Sequence, residues 1–437
     1  MARLSHMFRF VVCTCCCLLG TAAVGAQAQS TSEPDAMQER VQLLEKQIAE
    51  MKAEMAAMKS GGASPAPAVQ SNLVEPAVGG TDTAKSSPTL GSILGPTTVS
   101  GFVDVYYGQN FNNPATRSSG LRYFDAASNQ FGLNLIELVI DKQPDAANSR
   151  TGYHLAFGYG QAMNAIYGAG LTNSLSADQY VKEAYFSYLA PVGKGLQVDV
   201  GKFVTPAGAE VIETKDNFNY SRGILFYSAI PYYHFGMRAK YAFTGKVALT
   251  GYFVNGWNSV IDNNSGKTYG ASLAVTPSKR FSITQNVLVG PEGAENKKDW
   301  RQLWDTVVAV NATSKLTLMA NYDYGRGDRM DGFLKPVYWT GIAGYFKYAF
   351  SPKYSFASRY EYYNDHYGFT TGTAGHIQEV TGTFEHPFAS HILSRLEFRH
   401  DMANNPVFLK GASTPVNSQT TLQAGLVFLF DSREGTK

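Results

Sequence analysis

From Thr97 onward the sequence repeats one rhythm: a segment of roughly ten residues with alternating side-chain character, then a link that is by turns short and long. Sixteen segments carry it: 97–107, 129–140, 151–160, 178–190, 195–203, 233–243, 245–256, 267–277, 280–289, 300–310, 315–325, 337–350, 354–363, 376–386, 390–401 and 419–430. Links after the even segments are mostly brief, such as Pro191–Lys194, Thr244 alone, Ser278–Lys279, Asn311–Ser314, Ser351–Lys353 and Pro387–Ala389, with 141–150 the longest of them. Links after the odd segments are long: 108–128, 161–177, 204–232, 257–266, 290–299, 326–336, 364–375 and 402–418. A tilted strand of about ten residues crosses a bilayer, and tight turns alternating with long loops bring both ends of the sheet to one side. A soluble β-sandwich has no reason to keep this alternation. The fold expected over 97–437 is therefore all-β, an antiparallel transmembrane barrel of about 16 strands in a Gram-negative outer membrane.

Side-chain faces agree with that reading. In 390–401, Ile392, Leu396 and Phe398 share one side, and Arg395, Glu397 and Arg399 the other. Leu422, Ala424, Leu426, Phe428 and Phe430 line one side of 419–430, as Leu316, Leu318, Ala320, Tyr322 and Tyr324 do in 315–325. Lipid requires the apolar face, and a wet lumen tolerates the charged one. The segments 129–140 and 245–256 alternate poorly, so their faces stay unassigned. Only 16% of residues are charged, below the roughly 25% of ordinary soluble chains. Another 26 Tyr, 26 Phe and 42 Gly suit aromatic girdles and tight turns.

The first 96 residues read differently. Arg3 and Arg9, then the apolar run Phe10 to Gly20, then small residues up to Ala26 or Ala28 form a secretory signal over 1–28. That apolar run is too short to span, and no later run approaches 18 residues, so a transmembrane helix is not expected. Cys13, Cys15, Cys16 and Cys17 all fall inside the signal, which leaves the exported chain free of thiols and disulfides. Removing the signal takes away two basic and no acidic residues, leaving 35 of each. Such a balance gives no field for nucleic acid. Within 29–60, Met37, Val41, Leu44, Ile48, Met51, Met55 and Met58 are spaced by fours and threes, the seam of a short periplasmic coiled-coil helix. The alternative is one amphipathic helix lying on another surface. Residues 61–96, rich in Gly, Ala, Ser and Pro, read as a flexible linker.

Eight segments resemble the OmpL-like β-barrel porins: GFVDVYYGQNFNNP (101–114), GKFVTPAGAE (201–210), DNFNYSRGILF (216–226), YYHFGMR (232–238), FVNGWN (253–258), SRYEYYNDHYGF (358–369), LEFRHD (396–401) and QTTLQAGLVFLF (419–430). The resemblance covers about 97–430 and implies an outer-membrane channel without implying its solute. One departure is the tail, since Phe430 is followed by DSREGTK where such barrels usually end on an aromatic residue.

The link 204–232 is the longest, and it follows the fifth strand, where sixteen-stranded porins commonly fold a constriction into the lumen. Glu210, Glu213 and Asp216 give it negative charge, beside Lys215 and Arg222. Arg238, Lys240, Arg359, Arg395 and Arg399 fall on the inferred inner face. An acidic loop opposite a basic wall would set a transverse field across a pore. The plainer alternative is a solvated outer loop with lumen charges paired to Glu361, Glu379, Glu385 and Glu397. His366, His376, His386, His391 and His400 lack metal-site spacing and read as girdle or loop residues, so no metal or other cofactor is expected. No nucleophile or phosphate-loop motif points to an enzyme. The function expected is passive diffusion of small hydrophilic solutes or ions through a water-filled barrel. Its rival is an anchor that tethers outer-membrane lipid to the cell wall through the periplasmic helix, and three copies could associate through 36–59.

Overall fold

The computed structural model describes residues 95–170, 174–328 and 335–432. The expected signal, the helix at 29–60 and nearly all of the linker lie outside the described residues. Fifteen strands run in chain order, each antiparallel to the next: β1 (Thr98–Asn110), β2 (Gln130–Lys142), β3 (Thr151–Tyr159), β4 (Val181–Ala190), β5 (Leu196–Val204), β6 (Tyr233–Ala242), β7 (Val247–Val254), β8 (Thr268–Ser278), β9 (Phe281–Gly293), β10 (Asn296–Asn311), β11 (Leu316–Gly327), β12 (Val337–Ser351), β13 (Tyr354–Asp365), β14 (Gly375–Ala389) and β15 (Ile392–Ala403). A small hairpin, β16 (Phe408–Lys410) and β17 (Thr414–Val416), stands in the last long link. Then β18 (Ser418–Asp431) pairs with β15 on one side and β1 on the other, closing the barrel. Closure leaves no strand edge, as backbone amides in hydrocarbon demand.

All sixteen expected strands are present with small shifts at their ends. The two unreadable segments have separate physical causes. In β2, Asp104 pairs with Leu135 but Val105 pairs with Leu133, so Asn134 is an extra, bulged residue. Asn134 and Leu135 are both fully buried, and the alternation changes phase between them. In β7 the trouble is an apolar inner face: Tyr252 and Val254 pack inward on Phe203, while Leu249 and Phe253 are exposed on the opposite side.

One expected loop is absent. The link 290–299 is almost entirely strand, because β9 and β10 continue past the barrel wall to a tip at 294–295. Glu295 supplies that turn with φ 55°, and its N–H donates to Asn263 O at 2.9 Å, so the neighbouring link supports the hairpin. Among the described residues, the other odd links are irregular or carry local structure, including helix α1 (Gln161–Ala169) between β3 and β4.

Aromatic residues crowd both rims. At the short-turn end His386 stacks on Tyr354 with ring centres 4.5 Å apart. At the long-loop end His366 stacks on Tyr338 at 5.0 Å and His376 on Tyr362 at 5.6 Å. These late histidines belong to two opposite rims and to rings, not to a common centre.

Candidate functional site

The link 205–232 folds inward. Thr205 N–H donates to Tyr232 O at 3.0 Å and ties its two ends together. Ala209 N–H donates to Asn321 Oδ1 at 3.0 Å, which carries the chain from β5 across to β11. Asn217 then closes a smaller turn, accepting from Val211 N–H at 2.9 Å and donating to Val211 O at 2.8 Å. A π-helical turn at Leu225–Ala229, buried throughout, leads back to β6.

Inward-facing carboxylates hold the loop's backbone. Glu397 of β15 accepts from Tyr220 N–H at 2.6 Å and Ser221 N–H at 3.0 Å. Glu361 of β13 accepts from Ile224 N–H. Asp104 of β1 accepts from the Tyr220 hydroxyl at 2.8 Å and the Thr214 hydroxyl at 2.6 Å. Tyr220 can reach that wall because Gly425 of β18 has no side chain, and a Cβ there would run into the Tyr220 ring. The link 111–129 also turns inward and packs Phe124 against Phe226 and Tyr232, both at 5.3 Å. Of those wall acids, Glu361 and Glu397 were read as inward residues from the sequence, and Asp104 was not. Their role as acceptors for loop groups was not readable.

The nine residues singled out from sequence fall into three places. Glu210 meets Arg359 directly at 2.5 Å and also accepts from Gly223 N–H at 2.6 Å. Arg359 continues to Glu379 at 2.6 Å and Ser221 O at 2.7 Å. Arg395 donates to Asn217 O at 2.8 Å, Asn219 O at 3.2 Å and Glu385 at 2.6 Å. Arg399 donates to Arg222 O at 2.8 Å and pairs with Asp401 at 2.7 Å. Arg222 turns within the loop to Ile212 O, its guanidinium 5.0 Å from the Phe124 ring. All five lie in the buried seam between loop and wall.

Glu213 and Asp216 occupy a second place. They line a cavity of about 630 Å³ at the short-turn end, with Glu137, Glu183, Lys182, Lys215 and His154. Glu213 pairs with Lys182, which also holds Glu137 at 2.9 Å, and Asp216 pairs with Lys215 at 2.5 Å while remaining half exposed. The third place is β6. Arg238 pairs with Asp199 at 2.7 Å and lies over the Tyr185 and Phe203 rings, and Lys240 is exposed two residues on. On the same wall Thr250, Ser272 and Thr284 are partly exposed.

Burial sets the electrostatics of the loop groups. It pushes the Glu210 carboxyl above its ordinary range, with Arg359 and the Gly223 N–H opposing. Burial also depresses the Arg222 guanidinium against the pull of Asp125 and Asp104. In Asp125 burial works against ionisation, but the adjoining Arg122 prevails and holds the carboxyl below the usual carboxylate range.

The comparisons place this geometry among known proteins. The profile of a family described as "Putative beta-barrel porin-2, OmpL-like" matches residues 96–430. The anion-selective porin from Comamonas acidovorans superposes with a TM-score of 0.51 at 10% identity, over 76% of this chain and 99% of its own. The trimer form of OmpT, an outer membrane protein of Vibrio cholerae, does so with a TM-score of 0.50 at 11% identity, over 76% and 99%. At such identities the likeness is one of fold. No curated protein sequence is detectably similar to the chain.

Proposed function

Since the chain belongs to the OmpL-like β-barrel porin family and is an outer-membrane porin, we propose that loop 205–232 and the acidic cavity beside it select what passes. Transport is passive diffusion of small hydrophilic solutes or ions down their gradient, and no catalytic step is part of it. The observation that carries this reading is the division of labour among the charges. Glu210, Arg359, Arg395 and Arg399 hold the loop to the wall, whereas Glu213 and Asp216 face a water-accessible cavity. Glu137, Glu183, Glu213, Asp216 and Asp431 outnumber Lys182, Lys215 and His154 there, an excess that favours cations at that mouth.

Reversal potentials across a planar bilayer under a salt gradient test the assignment. The wild type should prefer cations, and Glu213→Gln with Asp216→Asn should move the potential toward zero. An unchanged potential would remove the cavity from selectivity. The heptads of 36–59, which lie outside the described residues, support self-association in the periplasm without fixing its number, and three is proposed because the OmpT neighbour has a trimer form. Neither the family nor the fold lends support to the tethering alternative.

A further inference from the structure

Five short turns in succession repeat one charge pattern. They are 191–195 (PVGKG), 243–246 (FTGK), 279–280 (KR), 312–315 (ATSK) and 352–353 (PK), and they join β4 to β5, β6 to β7, β8 to β9, β10 to β11 and β12 to β13. Each carries a cation: Lys194, Lys246, Lys279 with Arg280, Lys315 and Lys353. No Asp or Glu stands in these turns or within three residues of either end. All six cations are exposed, and none is ion-paired among the described residues. Lys194 donates to Phe243 O at 2.7 Å, which bridges its turn to the next. The acidic cavity draws its wall from β15, β18 and β1 to β4, and none of the six lines it.

Turn geometry needs none of this charge. A tight turn is satisfied by Gly, Pro, Ser or Thr, and a row of unmatched cations repels itself. At the long-loop end of the same strands the signs mix: Lys267 pairs with Asp262, Arg326 pairs with Asp328 at 2.9 Å, and Glu295 and Asp299 flank Lys297 and Lys298. Exposed rings stand beside the basic turns. Phe281 and Tyr354 directly follow Arg280 and Lys353, while Phe243 and Phe350 lie three residues before Lys246 and Lys353. Tyr241 packs on Phe243 with ring centres 5.1 Å apart, and Tyr348 on Phe350 at 5.2 Å. Such rings mark the edge of hydrocarbon, so the neighbouring cations fall at head-group depth. Successive turns are two strand spacings apart, about 10 Å. One small anion would reach one or two of the cations, and a compact protein only part of the arc. A leaflet of phosphates meets all six at once.

We propose that the short-turn rim from β4 to β13 docks anionic phospholipid, the Lys or Arg of each turn taking a head-group phosphate of the leaflet it faces. The ring rests on the outer-membrane reading of the barrel, but lipid contact is measured without current. Full-length protein is reconstituted in phosphatidylcholine bilayers, where spin-labelled phosphatidylglycerol and spin-labelled phosphatidylcholine report the lipid held at the wall. Phosphatidylglycerol should be held about threefold more strongly, and concentrated salt should erase the difference. Lys194→Gln, Lys246→Gln, Lys279→Gln, Arg280→Gln, Lys315→Gln and Lys353→Gln together should bring the ratio to one, and Lys279→Gln with Arg280→Gln should already lower it. Arg in place of the five lysines should keep the preference, and Lys297→Gln with Lys298→Gln, at the opposite rim, should leave it unchanged. The heat-dependent gel shift confirms that each variant is folded. Equal hold on the two lipids by the wild type would overturn the proposal, as would a preference that survives the Gln substitutions or is lost with Arg. Polyglutamate binding that depends on the six cations, without any lipid preference, would also overturn it and assign the rim to an acidic polypeptide. Bilayer currents keep the two ideas apart: conductance without lipid preference leaves the channel standing, and lipid preference without conductance leaves only the ring.

Discussion

Single residues in this barrel act as fasteners before they act as filters. Arg359 links Glu210 of the loop to Glu379 of the wall, and all three are buried. Glu210→Gln removes one charge and leaves Arg359 its second partner, so a loss of about 1–3 kcal/mol in urea unfolding is expected, with noisier single-channel currents as the loop loosens. Unfolding and current noise equal to those of the wild type would show that the pair does not hold the loop. Asp125 offers a pH test. Its folded-state pKa lies below the unfolded value, so the clasp with Arg122 stabilises fully above about pH 4 and is lost as pH falls through the depressed value. Asp125→Asn should therefore flatten the acid limb of the stability curve, measured from pH 2 to 6 (roughly the range in which carboxylates titrate). A limb as steep as the wild type's would assign acid sensitivity elsewhere. At this scale the sequence was half legible. Parity along β13 and β15 placed Arg359, Arg395 and Arg399 on the inner face. Period-two alternation specifies a face and never a partner, so their contacts with loop carbonyls could not be read.

The strands were legible because each obeys a local rule, and the exceptions show where that rule yields. Asn134 interrupts β2 with an extra residue whose side chain donates to Asp104 at 2.7 Å. Deleting Asn134 should leave a folded barrel, since Leu133 and Leu135 keep their faces. Deleting Ser358 from regular β13 should not, because half of the strand would then present Arg359 and Glu361 to lipid, or Tyr354 and Phe356 to the lumen. Charges moved to the bilayer interior cost about 2–4 kcal/mol each for Arg and somewhat less for Glu. The shift in mobility between unheated and heated samples on a denaturing gel reports folding for both variants, and a folded Ser358 deletion would contradict the register. The hairpin of β9 and β10 illustrates a different limit. PEGAE at 291–295 reads as loop by composition, yet Asn264 donates to Pro291 O at 2.9 Å and to Gly293 O at 3.0 Å, and so steadies strand geometry from a neighbouring link. Tertiary support of that kind has no local trace.

At the scale of the whole molecule, the lumen is shaped by links more than by strands. Phe124, Phe226, Tyr232, Trp257 and Trp339 form one apolar cluster contributed by three links and β12, so the long-loop half carries a core of its own. Quaternary organisation is the matching test for the N-terminal segment. Sedimentation of detergent-solubilised protein with and without 36–59 should show a trimer falling to monomer, and equal masses would defeat the helix as the joint. The inward loop also bears on how the barrel comes to exist. It bonds to Asp104 on β1 and to Glu397 on β15, the strands that flank β18 on either side. A segment fastened to both banks of the closing seam is hard to thread in afterwards. It is better seen as a template, bringing the first and penultimate walls to their final spacing while the last strand is still to be laid. Assembly and permeability then become one event, and no wide-open precursor of this pore need ever stand in the membrane.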